Sequence, residues 1–178
     1  MLRSNPAIQR EEYARYSRLL YPTCLRILAN AQEAEEAMHD ALLHYFSFSG
    51  SFDSEAQKRS WLFKVATSKS IDRLRKKYAD FFEHVVVETE DDLQTQDDRL
   101  DTSDTEAQVS RIKEAMGMLA PGYRTVLSLV LFEGYDFDEI SNLLSLRSAT
   151  VRSQYVRGRN RLRTLLLTQA IQKQMIHD

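Results

Sequence analysis

From Asp80 to Thr105 the apolar periodicity of the rest of the chain stops, and acids with interspersed serines and threonines take its place. Such a stretch cannot bury enough apolar surface to offset its own ordering entropy, and reads as a flexible linker. It rules out one continuous core and divides the 178 residues into two small domains, each closing around its own elements. The only apolar run inside it, Val85-Val86-Val87, is a short extended segment at most.

On both sides of the linker the spacing is helical. Ala34, Ala37, Met38, Ala41, Leu42 and Tyr45 recur at three and four residues, which predicts an amphipathic helix over 32–46. Its other face carries Glu33, Glu36, Asp40 and the neighbouring His44. Residues 11–29 follow the same period, and Pro22 is expected to interrupt them and open a second helix. Residues 47–57 read as a loop, followed by a helix over 58–77 with Leu62, Val65 and Ala66 as its apolar stripe. These elements make a first domain, 1–78.

Beyond the linker, 79–105, Val109, Ile112, Ala115, Met116 and Leu119 mark a helix, and Pro121 opens another that runs up to Gly134. Asp136 or Asp138 starts a short helix with Phe137, Ile140, Leu143 and Leu144. Residues 145–147 form a turn, and Ser148 is the expected N-cap of a last helix reaching about Ile171. The second domain, 106–178, thus ends in a helix-turn-helix. Five glycines, three prolines and few β-branched runs make the expected class all-α: two small helical domains, the C-terminal one a helix-turn-helix, joined by an acidic flexible linker.

The net charge of −2 says little about partners, but its distribution says more. Residues 58–77 carry Lys58, Arg59, Lys64, Lys69, Arg73, Arg75, Lys76 and Lys77 against Asp72, and residues 147–163 carry six arginines and no acid. Two basic blocks around an acidic one suit a polyanion gripped at two places; on charge alone, solvated helix faces fit as well.

On the last helix, Val151, Tyr155, Gly158 and Leu162 share one stripe, suited to facing inward. Glycine there costs about 1 kcal/mol against alanine, which suggests close helix approach. Arg152, Ser153 and Val156 fall opposite, with Arg157 beside them. Such a face fits the major groove, where arginine bonds guanine bidentately and valine can meet a thymine methyl. Arg147, Ser148 and Thr150 stand at the helix start, where side chains and free N–H groups hold phosphates. In the 58–77 helix, cations beside Trp61 and Phe63 suit single-stranded DNA, although Trp61 also fits a core. The 32–46 helix can dock a basic partner helix or simply leave its acidic side in water.

Catalytic chemistry finds no support. Cys24 is the only cysteine, so no intrachain disulfide and no cysteine-based metal site is possible. His39, His44, His84 and His177 are scattered without metal-ligand spacing, and neither a phosphate-binding glycine loop nor a nucleophile elbow is present. No enzyme activity, metal or cofactor is expected. With no signal-peptide pattern and no apolar stretch near the roughly 20 residues that span a bilayer, the expectation is a cytoplasmic protein without membrane insertion.

Three segments resemble a known family. WLFKVATSKSIDRLRKK (61–77) is similar to the promoter-melting segment of sigma-70-type factors, AEEAMHDALLHYF (34–46) to their core-polymerase-binding helix, and EGYDFDEISNLLSLRSATVRSQYVRGRNRLR (133–163) to their −35-reading helix-turn-helix. Two domains and a short acidic linker are the layout of the extracytoplasmic-function (ECF) group. The resemblance implies a bacterial sigma factor that directs RNA polymerase core to specific promoters and helps open the −10 element. Glu36, His39, Asp40, Leu42 and Leu43 would clasp the β′ coiled coil, with the β flap as a further polymerase contact. Lys58, Arg59, Trp61, Lys64, Ser68 and Arg73 would take the unpaired −10 strand, with a flipped base in the loop near 48–58. Arg152, Ser153, Val156 and Arg157 would meet −35 bases. An anti-sigma factor, often membrane-anchored in the family, is the implied restraining partner. The chain departs from the pattern at Ser68, where asparagine is frequent, and at Ser145, where the turn commonly has glycine. Gln154 replaces a usual basic residue, removing one phosphate contact, and Leu42 replaces a frequent phenylalanine. The alternatives are a conventional helix-turn-helix regulator, which needs a ligand pocket or phosphoacceptor within 1–105, and an adaptor module, which needs no base-reading arginines.

Overall fold

Asn5 starts the first helix by accepting a hydrogen bond from the Ala7 N–H at 3.0 Å, with Pro6 in the first turn, where its missing N–H costs nothing. This computed structural model describes residues 5–78 and 105–177. The linker expected over 79–105, with its three valines, lies outside them apart from Thr105. The described residues hold seven helices and no strand: α1 (Pro6–Leu28), α2 (Ala31–Ser47), α3 (Glu55–Lys77), α4 (Thr105–Gly117), α5 (Pro121–Leu131), α6 (Phe137–Leu144) and α7 (Ser148–His177). They fall into two compact units, one within Met1–Ala79 and one within Asp80–Asp178. No helix among the described residues is long and apolar enough to cross a membrane.

The first unit is α1–α3. Pro22 does not break α1, contrary to expectation: the helix runs through it. A proline inside a helix costs about 3 kcal/mol, but Tyr16 and Leu20 before it and Cys24, Ile27 and Leu28 after it are all buried. Each such side chain returns roughly 1.5–3 kcal/mol, so tertiary burial outweighs the local penalty while Pro22 itself stays exposed. Ala29, left-handed at φ 50°, stops the helix, and Asn30 caps α2 by accepting from the Glu33 N–H at 2.9 Å. Ser54 caps α3 in the same way through the Gln57 N–H at 3.1 Å, so the helix begins at Glu55, three residues before the expected start. Fully buried Ala34, Ala37 and Ala41 let α2 approach its neighbours closely around Leu20, Ile27, Leu42, Leu62, Ile71 and Leu74.

The second unit is α4–α7. Ala115, Met116, Leu119, Leu127 and Leu162 form one buried cluster, with Ile112, Tyr123, Tyr155, Leu165 and Leu166 against it. Arg124, unsuspected from sequence, is buried, and its Nη1 donates to the carbonyls of Leu119 at 2.8 Å and Gly117 at 3.2 Å, closing the α4–α5 turn. Asp136 and Glu139 form a capping box at the start of α6. Ser145 ends α6 in the left-handed region at φ 55°, which explains why glycine suits this turn. The turn is laced twice: the Leu146 N–H donates to the Ser141 carbonyl at 3.0 Å, and the Ser141 hydroxyl donates to the Leu146 carbonyl at 2.5 Å. α7 extends to His177, past the expected end at Ile171.

Candidate nucleic-acid interface

In the second unit, α7 presents two opposite faces. Val151, Gln154, Gly158 and Leu162 are buried. A Cβ on Gly158 would sit 3.0 Å from the Tyr123 Cβ and 3.2 Å from the Leu127 Cδ1, so glycine is what lets α7 lie against α5. The outward face carries exposed Arg152 and half-exposed Ser153 and Val156, with half-exposed Arg157 at its edge. Arg152 lies over the Phe137 ring at 5.8 Å, and Phe137 meets Tyr155 edge-on at 5.3 Å between centroids. Arg147 is exposed and Thr150 half-exposed at the helix start.

Two expectations in this unit change. Ser148 does not cap α7: it is the first residue of the helix, and its hydroxyl donates to Asp138 of α6 at 3.2 Å, tying the two helices together. Gln154 does not stand on the outward face, so no phosphate contact is lost there. It is 1% exposed, and neither amide atom finds a hydrogen-bond partner among the described residues.

In the first unit, several basic side chains turn inward. Lys58 Nζ lies 3.1 Å from Glu12 and 3.0 Å from Glu55, and 5.2 Å from the centre of the Tyr16 ring. Burial opposes its charge, but hydrogen bonds with Tyr16, Glu55 and Glu12 prevail and raise its pKa. The Tyr16 hydroxyl donates to Glu55 at 2.5 Å, and the Tyr45 hydroxyl to both Glu12 oxygens at 2.9 Å. Burial and the Glu55 carboxylate raise the Tyr16 pKa; the Tyr16 hydrogen bond above all lowers that of Glu55. Arg73 bridges to α2, with Nη1 2.7 Å from Glu36 and Nη2 2.7 Å from Asp40. Burial opposes this charge too, and the two carboxylates raise its pKa nonetheless. Lys77 reaches Glu33 at 2.7 Å.

Lys58 and Arg73, expected to face an unpaired strand, therefore spend their charge within the unit. Trp61 is half-buried, with Phe48, Phe52, Tyr45 and His44 within 4.8, 5.5, 6.4 and 5.5 Å between ring centroids. Arg59 and Lys64 are exposed, without an ion pair among the described residues; Ser68 is half-buried. The loop between α2 and α3 borders an open cleft of about 830 Å³ whose walls include Glu12, Tyr45, Phe48, Gly50, Phe52 and Lys58. A Cβ on Gly50 would collide with the far end of the Phe48 ring, so a larger residue there would shift that ring.

The two leucines named on α2 differ in exposure. Leu43 is 64% exposed, whereas Leu42 is 1% exposed and belongs to the core, where no partner can reach it. His39 is half-buried, stacked on Tyr13 of α1 at 5.8 Å and hydrogen-bonded to its hydroxyl at 2.5 Å. Sequence reasoning missed Tyr13, Glu12, Glu55 and Tyr16, since only the tertiary fold brings α1 to these residues.

The family description Sigma-70 region 2 matches residues 13–79, and Sigma-70, region 4 matches residues 110–162. The chain is 30% identical over 158 residues to the ECF RNA polymerase sigma factor SigW of Bacillus subtilis, covering 85% of this chain and 84% of that one. It is 27% identical over 154 residues to the ECF RNA polymerase sigma factor SigM of Mycobacterium tuberculosis, covering 86% and 74%. The fold is similar to that of the sigma factor RpoE of Bartonella quintana, solved with the anti-sigma factor NepR, at a TM-score of 0.55 and 19% identity over 88% of this chain and 95% of that one. These matches leave the conventional helix-turn-helix regulator without support. The chain belongs to the ECF sigma factors, and its function is theirs: directing RNA polymerase to promoters.

Proposed function

We propose that the two units divide promoter recognition between them, residues 1–78 taking core polymerase and the unpaired −10 strand and residues 106–178 reading the −35 duplex. The observation that carries this reading is the two-faced α7. Val151, Gly158 and Leu162 are buried, and Arg152, Ser153 and Val156 face away from them. Arg152, Ser153, Val156 and Arg157 read base edges, and Arg147 and Thr150 hold phosphates. In the first unit Arg59, Lys64 and Ser68 follow the strand, and the cleft beside Phe48 and Phe52 receives an extruded base. Favourable contacts to that base offset its unstacking, a few kcal/mol in comparable base-flipping systems.

Glu36, His39 and Leu43, with Tyr13 beside them, form the surface for the β′ coiled coil, and the second unit meets the β flap. Asp40 supports this surface through Arg73. An anti-sigma factor covers one or both units in the bacterial cytoplasm. Free chain binds promoter DNA weakly, because its acidic linker and separate units oppose it. The test is transcription from a genomic library by polymerase reconstituted with this chain. Arg152→Ala relaxes selection at one −35 position at a cost of about 1–3 kcal/mol, whereas Arg163→Ala weakens all promoters alike and lowers the salt slope. Equal effects of both changes on every promoter would sink the assignment of faces.

A further inference from the structure

The ring of His44, in the last turn of α2, lies against the indole of Trp61 with centroids 5.5 Å apart and planes 11° from parallel. The two rings differ in exposure. Trp61 is half-buried and hemmed by Phe48, Phe52 and Tyr45, while His44 is exposed. No other ring among the described residues stacks on His44. The imidazole is therefore the outermost plate of an aromatic stack rooted in the loop between α2 and α3.

Its surroundings suit a nucleic-acid strand. Lys64, one helical turn along α3 from Trp61, is exposed and unpaired among the described residues. Asp40, one turn before His44 on α2, would repel phosphate, but Arg73 neutralises it at 2.7 Å. We propose that His44, rather than Trp61, is the plate on which an unpaired base of the −10 strand stacks. Every base has a π-face, and a ring already held flat against a second ring surrenders little freedom when a base arrives. The inference rests on the reading of the first unit as the −10 single-strand site.

The test uses polymerase reconstituted with the full chain and a fork-junction DNA whose unpaired −10 strand carries 2-aminopurine at each position in turn. The wild type quenches the probe at one position. His44→Ala loses that quench and binds the fork about fivefold more weakly or worse, while His44→Phe keeps both. All three bind core polymerase and −35 duplex equally. His44→Ala that quenches and binds like the wild type overturns the inference alone, as does a loss that appears equally in core affinity. A wild type that fails to bind the unpaired strand overturns the reading of the unit and this inference with it.

Discussion

The guanidinium of Arg73 holds the carboxylate of Asp40 across the seam between α2 and α3, Nη2 to Oδ2 at 2.7 Å. A second nitrogen holds Glu36 at the same distance, so one cation fixes two acids of α2. The pairs are partly exposed, at 28% for Arg73 and 45% for Asp40, which limits their worth to about 1 kcal/mol. Arg73→Ala is expected to cost no more than that in urea unfolding. It should weaken binding to core polymerase more than binding to an unpaired −10 strand. A tenfold loss on the strand with core binding intact would return Arg73 to the DNA surface.

The cluster of Tyr16, Glu55 and Lys58 gives the first unit a stability window in pH. Glu55 has a lowered pKa in the folded chain, so its contribution is present above the ordinary 4.5 and is lost as pH falls through the folded value. Tyr16 and Lys58 have raised values, so theirs are present below the ordinary 10.0 and 10.5 and are lost as pH rises through the folded values. Thermal melts should therefore show a plateau between the carboxylate range and about pH 10, falling on both sides. Glu55→Gln should flatten the acid limb and Lys58→Met the alkaline one. Unchanged limbs in both variants would mean that other groups set the window.

Gly158→Ala sets a propensity gain against a collision. Alanine gains about 1 kcal/mol in a helix interior, but its Cβ would stand 3.0 Å from the Tyr123 Cβ, and overfilling a core costs about 1–3 kcal/mol. The expected result is a net loss of stability of about 1 kcal/mol by denaturant titration, and a larger loss for Gly158→Val. A higher melting temperature for the alanine variant would show that α5 and α7 can separate freely.

Gln154 buries an amide with neither atom hydrogen-bonded among the described residues. Gln154→Met keeps the volume and removes the polar atoms, so it should add about 1–2 kcal/mol of stability. Gln154→Lys should lower stability by burying an unpaired charge. Affinity for −35 duplex should be unchanged in the methionine variant. A drop there, in a fully folded protein, would show that the amide reaches DNA.

Local periodicity made much of this molecule legible. The apolar spacing of α2, the inward stripe of α7 and the tight fit at Gly158 follow from a repeat of three and four residues, and motif order carried the family. What failed depends on contacts distant in sequence. Pro22 looked like a break because the burial of Leu20 and Cys24 that carries α1 through it is tertiary. Lys58 and Arg73 looked like free cations because Glu12 and Asp40, their partners, lie on other helices. Leu42 and Gln154 are different: Leu42 continues the apolar spacing of α2, and Gln154 falls three residues after Val151 and four before Gly158. Period alone places both inward.

The contact between Arg152 and Phe137 has an entropic consequence. A free arginine at an interface gives up rotamer freedom when it docks, at about 0.5–1.5 kcal/mol for a long side chain. The Phe137 ring, 5.8 Å from the guanidinium, has taken part of that freedom before any DNA is near. On the proposed reading of α7, some of the affinity for the −35 duplex is set when α6 folds. On that reading Phe137, outside the proposed base-reading set, shares in deciding how tightly the promoter is held.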